Sequence, residues 1–544
     1  MRTKEGSEAP SFLQEPLSRL LVLGFVFVAG LGLRLYRIGE PLFDFVPVRQ
    51  YHSALLARGF YEWLLNGDLR TIPPDGIIEP PILELFASLS YLITGGEHLW
   101  IPRLLSTSFW MVGAVFVYLI ARKIVSPNAA VFSVAFYLFD PAVVFPSRAF
   151  MPDPLMIMML LVSVYTVVRY HEQPTTGRLM VAVVASSMAL FVKPGICLFQ
   201  IFGAFIALMV YRKGILRSLT SAHLYLFTAL ILVPPGLYYV YGTRIAGFLQ
   251  GQVEGKVVPQ YLLEPYFWRG WLQQIESMVG IIGFLGAVIG VLLIRPGLPR
   301  ALMAGLWGGY FLFGLVFTYH IHTHGYYSLQ FVPVVALSLG SLWDKAVRYI
   351  RQGDRYVYRR AVVFGLIILA GILGVVEQRI TILGIAQQAQ SAKPFPGRYL
   401  GSALIADYEG RAQTYREIGE VVGHSRRTVI SAPDFGYPLM YHGRLDGKYW
   451  PTPNMVGWWQ SRGRAGRNLG TATNRRGYFD DLYTETSPEY FVVIKRFTQG
   501  GGSELWTRDR FVRKVLTRHF PVVARDPYYI VFDLKSGEYG RESK

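Results

Sequence analysis

Cysteine is almost absent from this chain. The single one, Cys197, excludes a disulfide framework and any thiolate-based metal or redox centre. Charge is scarce too: Asp, Glu, Lys and Arg make up 17% of residues, where soluble domains run near ~25%. Acidic residues are the scarcer sign, 36 against 54 basic, for a net charge of +18. There is no glycine-rich phosphate loop, no HExxH and no GxSxG, which argues against an ATP-driven pump and a serine hydrolase. No internal repeat with a period of roughly 20–50 residues is present. Apolar residues fill the space that these absences leave. They make up 52% of the chain, and mean hydropathy is +0.31. That excludes a disordered protein, a collagen, a coiled coil and a single soluble domain.

A bilayer core of ~30 Å needs about 20 apolar residues per helix. Eleven runs qualify, at roughly 17–36, 102–121, 128–146, 154–170, 178–193, 195–211, 222–243, 274–294, 301–319, 328–344 and 361–378. The first is expected to stay as an anchor rather than be cleaved as a signal. With the N-terminus inside, the inner turns hold Arg122 and Lys123, Arg169 and Arg178, Arg212, Lys213 and Arg217, then Arg295 and Arg300. The last inner loop adds Lys345, Arg348, Arg351, Arg355, Arg359 and Arg360. This excess of cations on one side is the positive-inside pattern and accounts for the net charge without nucleic acid. Arg34 and Arg37 fall at an outer helix end, where long side chains can snorkel. The segments 48–65 and 80–95 are expected to lie outside as amphipathic interfacial helices. The second is short and carries Glu84.

The organisation expected is a cytoplasmic N-terminus over 1–16, a transmembrane core over 17–380 with a first outer loop at 37–101, and a soluble α/β domain over 395–544 on the outer face. In that last part the runs Arg427–Ser431, Tyr490–Ile494 and Tyr528–Asp533 read as strands, and Arg411–Val422 and Glu504–Thr517 as helices. The basic, aromatic run Trp458–Arg467 suits anionic lipid heads or sugars better than nucleic acid at an outer location, or is simply a solvated loop.

Three loops that open on the same face collect the unusual residues. The first holds Asp44, Arg49, Gln50 and His52, the second Arg148, Asp153 and Pro154, and the third His320, His322, His324, Tyr326 and Tyr327. Carboxylates beside membrane helices are costly unless paired or wet, which marks them as functional candidates. Asp44, ahead of Pro47, and Asp153, ahead of Pro154, also suit helix capping. The three histidines have metal-ligand spacing if they lie on a strand, but no matching carboxylate or cysteine is nearby. Lys193 either snorkels or holds a phosphate as a point charge.

The order of these pieces resembles the GT-C superfamily of membrane glycosyltransferases, in the branch of the protein O-mannosyltransferases and the lipid A aminoarabinose transferases (family 39-like). The resemblance covers roughly 17–340. It rests on Asp44 with Arg49 and Gln50, on Ala54–Tyr61, on Glu79 before Pro80 and Pro81, and on the Pro102–Ser106 segment that opens the second span. Ser147, Arg148 and Asp153, then Lys193, then His324, Tyr326 and Tyr327 before Pro333 complete it. Phe45 stands where many relatives have a second acidic residue, and Glu79 where many have histidine. The resemblance implies a GT-C-like core of about 11 helices with interfacial helices in the first outer loop. It implies an inverting transferase that takes a sugar from a polyprenyl-phosphate carrier on the outer face to a lipid, glycan or protein acceptor. In this reading Asp44 is the general base and Asp153 assists. Lys193, Arg49, Arg58 and Arg148 hold the donor phosphate. Gln50, His52, Glu79, His324, Tyr326 and Tyr327 touch substrate. No metal is required if cations stabilise the leaving phosphate, so no cofactor is expected and a divalent ion is not favoured. The expected setting is the plasma (inner) membrane of a prokaryote, among membrane lipids, with the C-terminal domain extracytoplasmic. A flippase for a lipid-linked sugar and a non-catalytic scaffold are the competing readings.

Overall fold

A computed structural model describes residues 16–72, 77–249, 257–351, 361, 365, 407–451, 475–495, 509 and 511–536. The chain is mainly helical. Among the described residues five helices are long and apolar enough to cross a membrane, or seven if each of two bent pairs is one span. In chain order the main elements are α1 (Pro16–Leu35), α2 (Pro47–Asn66), α3 (Ile82–Thr94), α4 (Trp100–Ile124), α5 (Pro127–Phe139), α6 (Asp153–Glu172), α7 (Thr176–Val192) and α8 (Pro194–Lys213). They continue with α9 (Ala222–Val240), α10 (Pro265–Val279), α11 (Ile281–Leu292), α12 (Leu298–Val316) and α13 (Val332–Arg351). Helices therefore stand at the first ten of the eleven expected runs. The eleventh, 361–378, lies outside the described residues, as do 1–15 and the basic run 458–467.

Two expected spans are broken. The run 128–146 bends by 64° at Asp140, whose side chain caps a new turn on Ala142 N–H. The run 274–294 bends by 91° at Gly280, where φ is +66°. Apolar content reports that a segment is buried in lipid or protein. It does not report straightness, which a capping Asp or a left-handed Gly decides. The segments expected at the interface form α2 and α3. At about 1.5 Å per residue α3 reaches only about 20 Å, too short to cross a ~30 Å core.

Small residues set how closely the spans pack. In α12, Gly305 and Gly309 are four apart and share a face. A Cβ on Gly305 would stand 2.3 Å from the Gly203 carbonyl oxygen of α8, and one on Gly309 2.5 Å from that of Phe199. This is the small-xxx-small contact that lets backbones touch where no hydrophobic effect drives helices together. Arg34 departs from the snorkelling expected of it. It is fully buried, with Nε donating to Ser147 Oγ at 2.7 Å and Nη1 to the Leu138 carbonyl at 3.0 Å.

After the core comes α14 (Tyr408–Val421), then β1 (Thr428–Ser431), α15 (Tyr437–Gly443), β2 (Gly447–Tyr449), α16 (Arg475–Thr486), β3 (Tyr490–Ile494), β4 (Val522–Arg525) and β5 (Tyr529–Asp533). The sheet order is β2-β1-β3-β5-β4, with β1 parallel to β2 and β3, and β5 antiparallel to β3 and β4. Its three central strands, β1, β3 and β5, are apolar on both faces. Ile430, Val492, Ile494 and Val531 join the core that continues into the membrane helices. Val429, Phe491, Val493, Ile530 and Phe532 close a second core around Trp450 and Phe479. Part of the expected helix 504–517 lies outside the described residues, and Val512–Leu516 is a single wide turn.

Gly305→Val should strip stability by about 1–3 kcal/mol through overpacking. Gly308→Ala on the same helix, where a Cβ meets open space, should be silent. Thermal melts of the two variants in detergent check this.

Candidate functional site

The loop between α1 and α2 is built around Asp44, which is 1% exposed. It does not cap α2: the residue at the cap is Val46, at φ 39° and ψ 68°, with no side-chain cap bond. Positive φ is a costly conformation for a β-branched residue, held here by its surroundings. Arg103 Nη2 donates to Asp44 Oδ1 at 2.8 Å and Arg148 Nη2 to Oδ2 at 2.8 Å. Gln50 Nε2 adds a bond to Oδ1 at 3.1 Å, and Gln50 Oε1 accepts from Phe150 N–H at 2.9 Å. Both guanidiniums also donate to carbonyls at or just beyond the end of α1, Arg103 Nη1 to Ile38 and Glu40 and Arg148 Nη1 to Arg34. Burial by itself would raise the Asp44 carboxyl. Arg103 and Arg148 outweigh it and hold the group below its usual value.

A second polar group lies alongside. Arg49 Nη2 grips both Glu79 oxygens, at 2.7 and 3.0 Å. Lys193 Nζ grips both Asp153 oxygens, at 2.9 and 3.0 Å, and stands 3.8 Å from Glu79. The Lys193 ammonium also lies over the rings of Tyr326 and Tyr327, 5.1 and 5.3 Å from their centroids, a cation–π arrangement. Lys193 breaks the helix between α7 and α8, and Asp153 opens α6, where a carboxylate also complements the helix dipole. The ion pair with Lys193 and the place at the helix start coexist.

The remaining expected residues divide between these groups and a third place. His52 and Arg58, on another face of α2, line a cleft toward the C-terminal region. Arg58 donates to both Glu97 oxygens at 3.0 Å and to the Tyr441 carbonyl at 3.0 Å. His324 bonds Thr323 Oγ1 and stands ring to ring with Tyr326 at 5.6 Å. His320 and His322 fall on the helical turn Thr318–Thr323 rather than a strand. Alternate residues there do not share a face, so the convergence that a strand would give is lost.

Three participants were not singled out from the sequence. Arg103 was readable only as a basic residue at the start of an apolar run, the signal that usually marks a functional charge. Glu84, 6% exposed, accepts from Ser53 Oγ at 2.7 Å, and burial raises its carboxyl to about 7. His442 of α15 bonds Tyr51 Oη at 2.7 Å, and Tyr51 Oη in turn accepts from Leu42 N–H at 3.0 Å. Burial, reinforced by Arg416 and Arg58, pushes His442 down to about 3. The imidazole is therefore neutral, and the ring tautomer sets which of Tyr51 Oη and His442 Nε2 donates. A link across 391 positions of sequence leaves no local pattern.

Two outcomes follow from these environments. Asp44→Asn deprives two buried guanidiniums of their counter-charge and should lose about 3–5 kcal/mol of stability, read as a lowered melting temperature. Glu84 has the opposite sign. Its carboxyl rises from 4.5 to about 7 on folding, so its stabilising contribution is full below the unfolded value and is lost as pH rises through the folded one. Glu84→Gln should therefore melt a degree or more above wild type at about pH 8, with the gap closing by about pH 5.

Residues 78–239, which carry Glu79, Glu84, Arg103, Arg148, Asp153 and Lys193, match the family model described as dolichyl-phosphate-mannose-protein mannosyltransferase. No curated protein matches the chain in sequence. Among solved structures it is similar to ArnT from Cupriavidus metallidurans bound to undecaprenyl phosphate, with 14% identity and a TM-score of 0.55 over 95% of this chain and 97% of that one. The apo form of the same enzyme gives 15% and 0.54 at the same coverage. The apo oligosaccharyltransferase of Archaeoglobus fulgidus gives 13% and 0.50 over 88% of this chain and 70% of that one. Residues 78–239 thus resemble a segment of the mannosyltransferase family, and the chain as a whole has a fold similar to that of ArnT.

Proposed function

We propose that the protein transfers a sugar, with inversion, from a polyprenyl-phosphate carrier to an acceptor on the outer face of a prokaryotic plasma membrane. The observation that carries this reading is the group Arg49, Glu79, Asp153, Lys193, Tyr326 and Tyr327, assembled from four separate segments next to the buried Asp44. Sugar nucleotides stay in the cytoplasm, so an outer-face transferase needs a donor anchored in the membrane. Lys193 and Arg49 supply the cations that stabilise phosphate as it leaves. Glu79 and Asp153 fix those cations before substrate arrives, so little reorganisation is needed at the reaction. They also offset the attraction for phosphate, which favours release of the spent carrier. The ring faces of Tyr326 and Tyr327 suit a sugar. Arg148 acts through Asp44, and Arg58 belongs to the cleft rather than to the donor.

Two carboxylates compete for the base that accepts the acceptor's proton. Asp44 is ionised and rigidly oriented, which suits a base but leaves its proton affinity low. Glu84 meets no cation at salt-bridge distance among the described residues, and its raised carboxyl binds protons near neutrality. The pH dependence separates them. If Asp44 is the base, kcat/KM stays flat from about pH 5 upward; if Glu84 is, kcat/KM rises with pH through about 7.

The experiment follows release of free polyprenyl phosphate from a panel of radiolabelled pentosyl, hexosyl and amino-sugar carriers, with host membrane extract as the acceptor source. Wild type should release it with at least one donor. Lys193→Met should cut turnover about a hundredfold or more with little loss of carrier binding. A carrier that binds, stays uncleaved and crosses sealed vesicles would replace this reading with transport.

A further inference from the structure

The cleft on α2 lies between the membrane core and the C-terminal region. Its volume is about 580 Å³, within the usual range for small-molecule sites and enough for a disaccharide-sized group. One wall is α2 and the turn that follows it, contributing His52, Arg58 and Arg70; the other is the loop before β1 together with α15, the segment that leads into β2 and β2 itself, contributing Arg426, Arg444 and Lys448. Glu62 and Asp446 are the acidic residues on the lining. Arg58 is tied to Glu97 at 3.0 Å and Arg70 to Asp68, while the exposed Arg444 stands 4.0 Å from Glu97. Arg426 and Lys448 make no ion pair among the described residues and stand exposed. Leu55, Leu56 and Met440 give the cleft an apolar floor, and Tyr437 sets its ring 5.4 Å from His52.

An excess of positive charge around a partly apolar floor attracts an anion that also carries an apolar or ring surface. The placement on α2 gives the cleft its meaning. Residues 52, 55, 56 and 59 line it, while Arg49 and Ser53 of the same helix reach Glu79 and Glu84. Arg49 and His52 are three residues apart, about 4.5 Å along the axis. One helix thus carries the donor-side cation on one face and the cleft on the next, so a group seated in the cleft lies beside the place where the sugar would be handed over.

We infer that this cleft binds the acceptor and that the acceptor is anionic, a glycan or lipid headgroup bearing phosphate held by Arg426, Arg444 and Lys448. This rests on the transferase reading for the word acceptor, but the anion site itself is measurable without any transfer.

The test uses the full-length protein in phosphatidylcholine nanodiscs with glucose 1-phosphate as probe and glucose as its neutral control. Wild type should bind glucose 1-phosphate in a salt-sensitive manner and glucose far more weakly. The combined variant R426Q/R444Q/K448Q should bind it roughly tenfold to a hundredfold more weakly, with unchanged binding of undecaprenyl phosphate and an unchanged melting temperature. Lys193→Met should leave the glucose 1-phosphate affinity as it is. Repeating the titration in phosphatidylglycerol discs distinguishes the two sources. Competition by the lipid assigns the cleft to a lipid headgroup, and its lack assigns it to a phosphorylated glycan. Equal affinity of wild type and triple variant, equal binding of glucose, or no binding of the probe up to about 10 mM would overturn the inference. Anion binding without cleavage of any donor would keep the cleft and remove the transferase, so the two failures are separable.

Discussion

The buried carboxylate of Asp44 between the guanidiniums of Arg103 and Arg148 is the constraint on which the rest of the site depends. A charge at 1% exposure survives only with partners, and these partners come from α4 and from the loop before α6. Through their other protons the same two arginines hold the carbonyls that end α1. One carboxylate therefore locks three parts of the chain, and Gln50 extends the lock into α2 and to Phe150. Buried ion pairs add little net stability compared with apolar packing, but they specify one arrangement sharply because every misplacement strands a charge. The strained Val46, two residues on, is held by the same network.

The C-terminal region supports this loop from the other side. Phe43 lies against Tyr51, Tyr408, Tyr415 and His442, and the Arg411 guanidinium sits over its ring at 4.3 Å. Tyr51 joins the backbone of Leu42 to His442. Loops seldom hold catalytic geometry by themselves. Here aromatic contact from α14 and α15 supplies the rigidity that an irregular loop lacks by itself.

Much of this was legible in the sequence because it follows from local regularities. Apolar runs located the helices, including the two expected at the interface, and three short apolar stretches located β1, β3 and β5. Of the residues expected at the site, Asp44, Gln50 and Arg148 join one group and Arg49, Glu79, Asp153, Lys193, Tyr326 and Tyr327 a second, while His52 and Arg58 line the cleft. Their pairings were not legible. Asp44 was read apart from Arg103 and Asp153 apart from Lys193, because ion pairs spanning 59 and 40 positions have no sequence period. Arg34 was read as snorkelling because composition shows only that a cation lies near a helix end; that it turns inward to Ser147 depends on a loop more than a hundred residues away. The breaks at Asp140 and Gly280 escaped because capping and left-handed φ are decided by one residue within an otherwise unbroken apolar run.

The two polar groups differ in net charge, and the difference fits different tasks. Arg49 and Lys193 are matched by Glu79 and Asp153, so the second group is balanced. Asp44 faces two guanidiniums, so the first keeps an excess positive charge. A balanced group binds a phosphate only moderately and lets it go, which suits a carrier that must turn over. An excess charge sealed from solvent keeps Asp44 ionised and raises the cost of any proton it takes. Glu84 sits outside both balances, with a hydroxyl rather than a cation beside it. It is the carboxyl in this neighbourhood whose protonation is set by burial rather than by a counter-charge, and so the one whose state would respond to a substrate that excludes water or brings charge of its own.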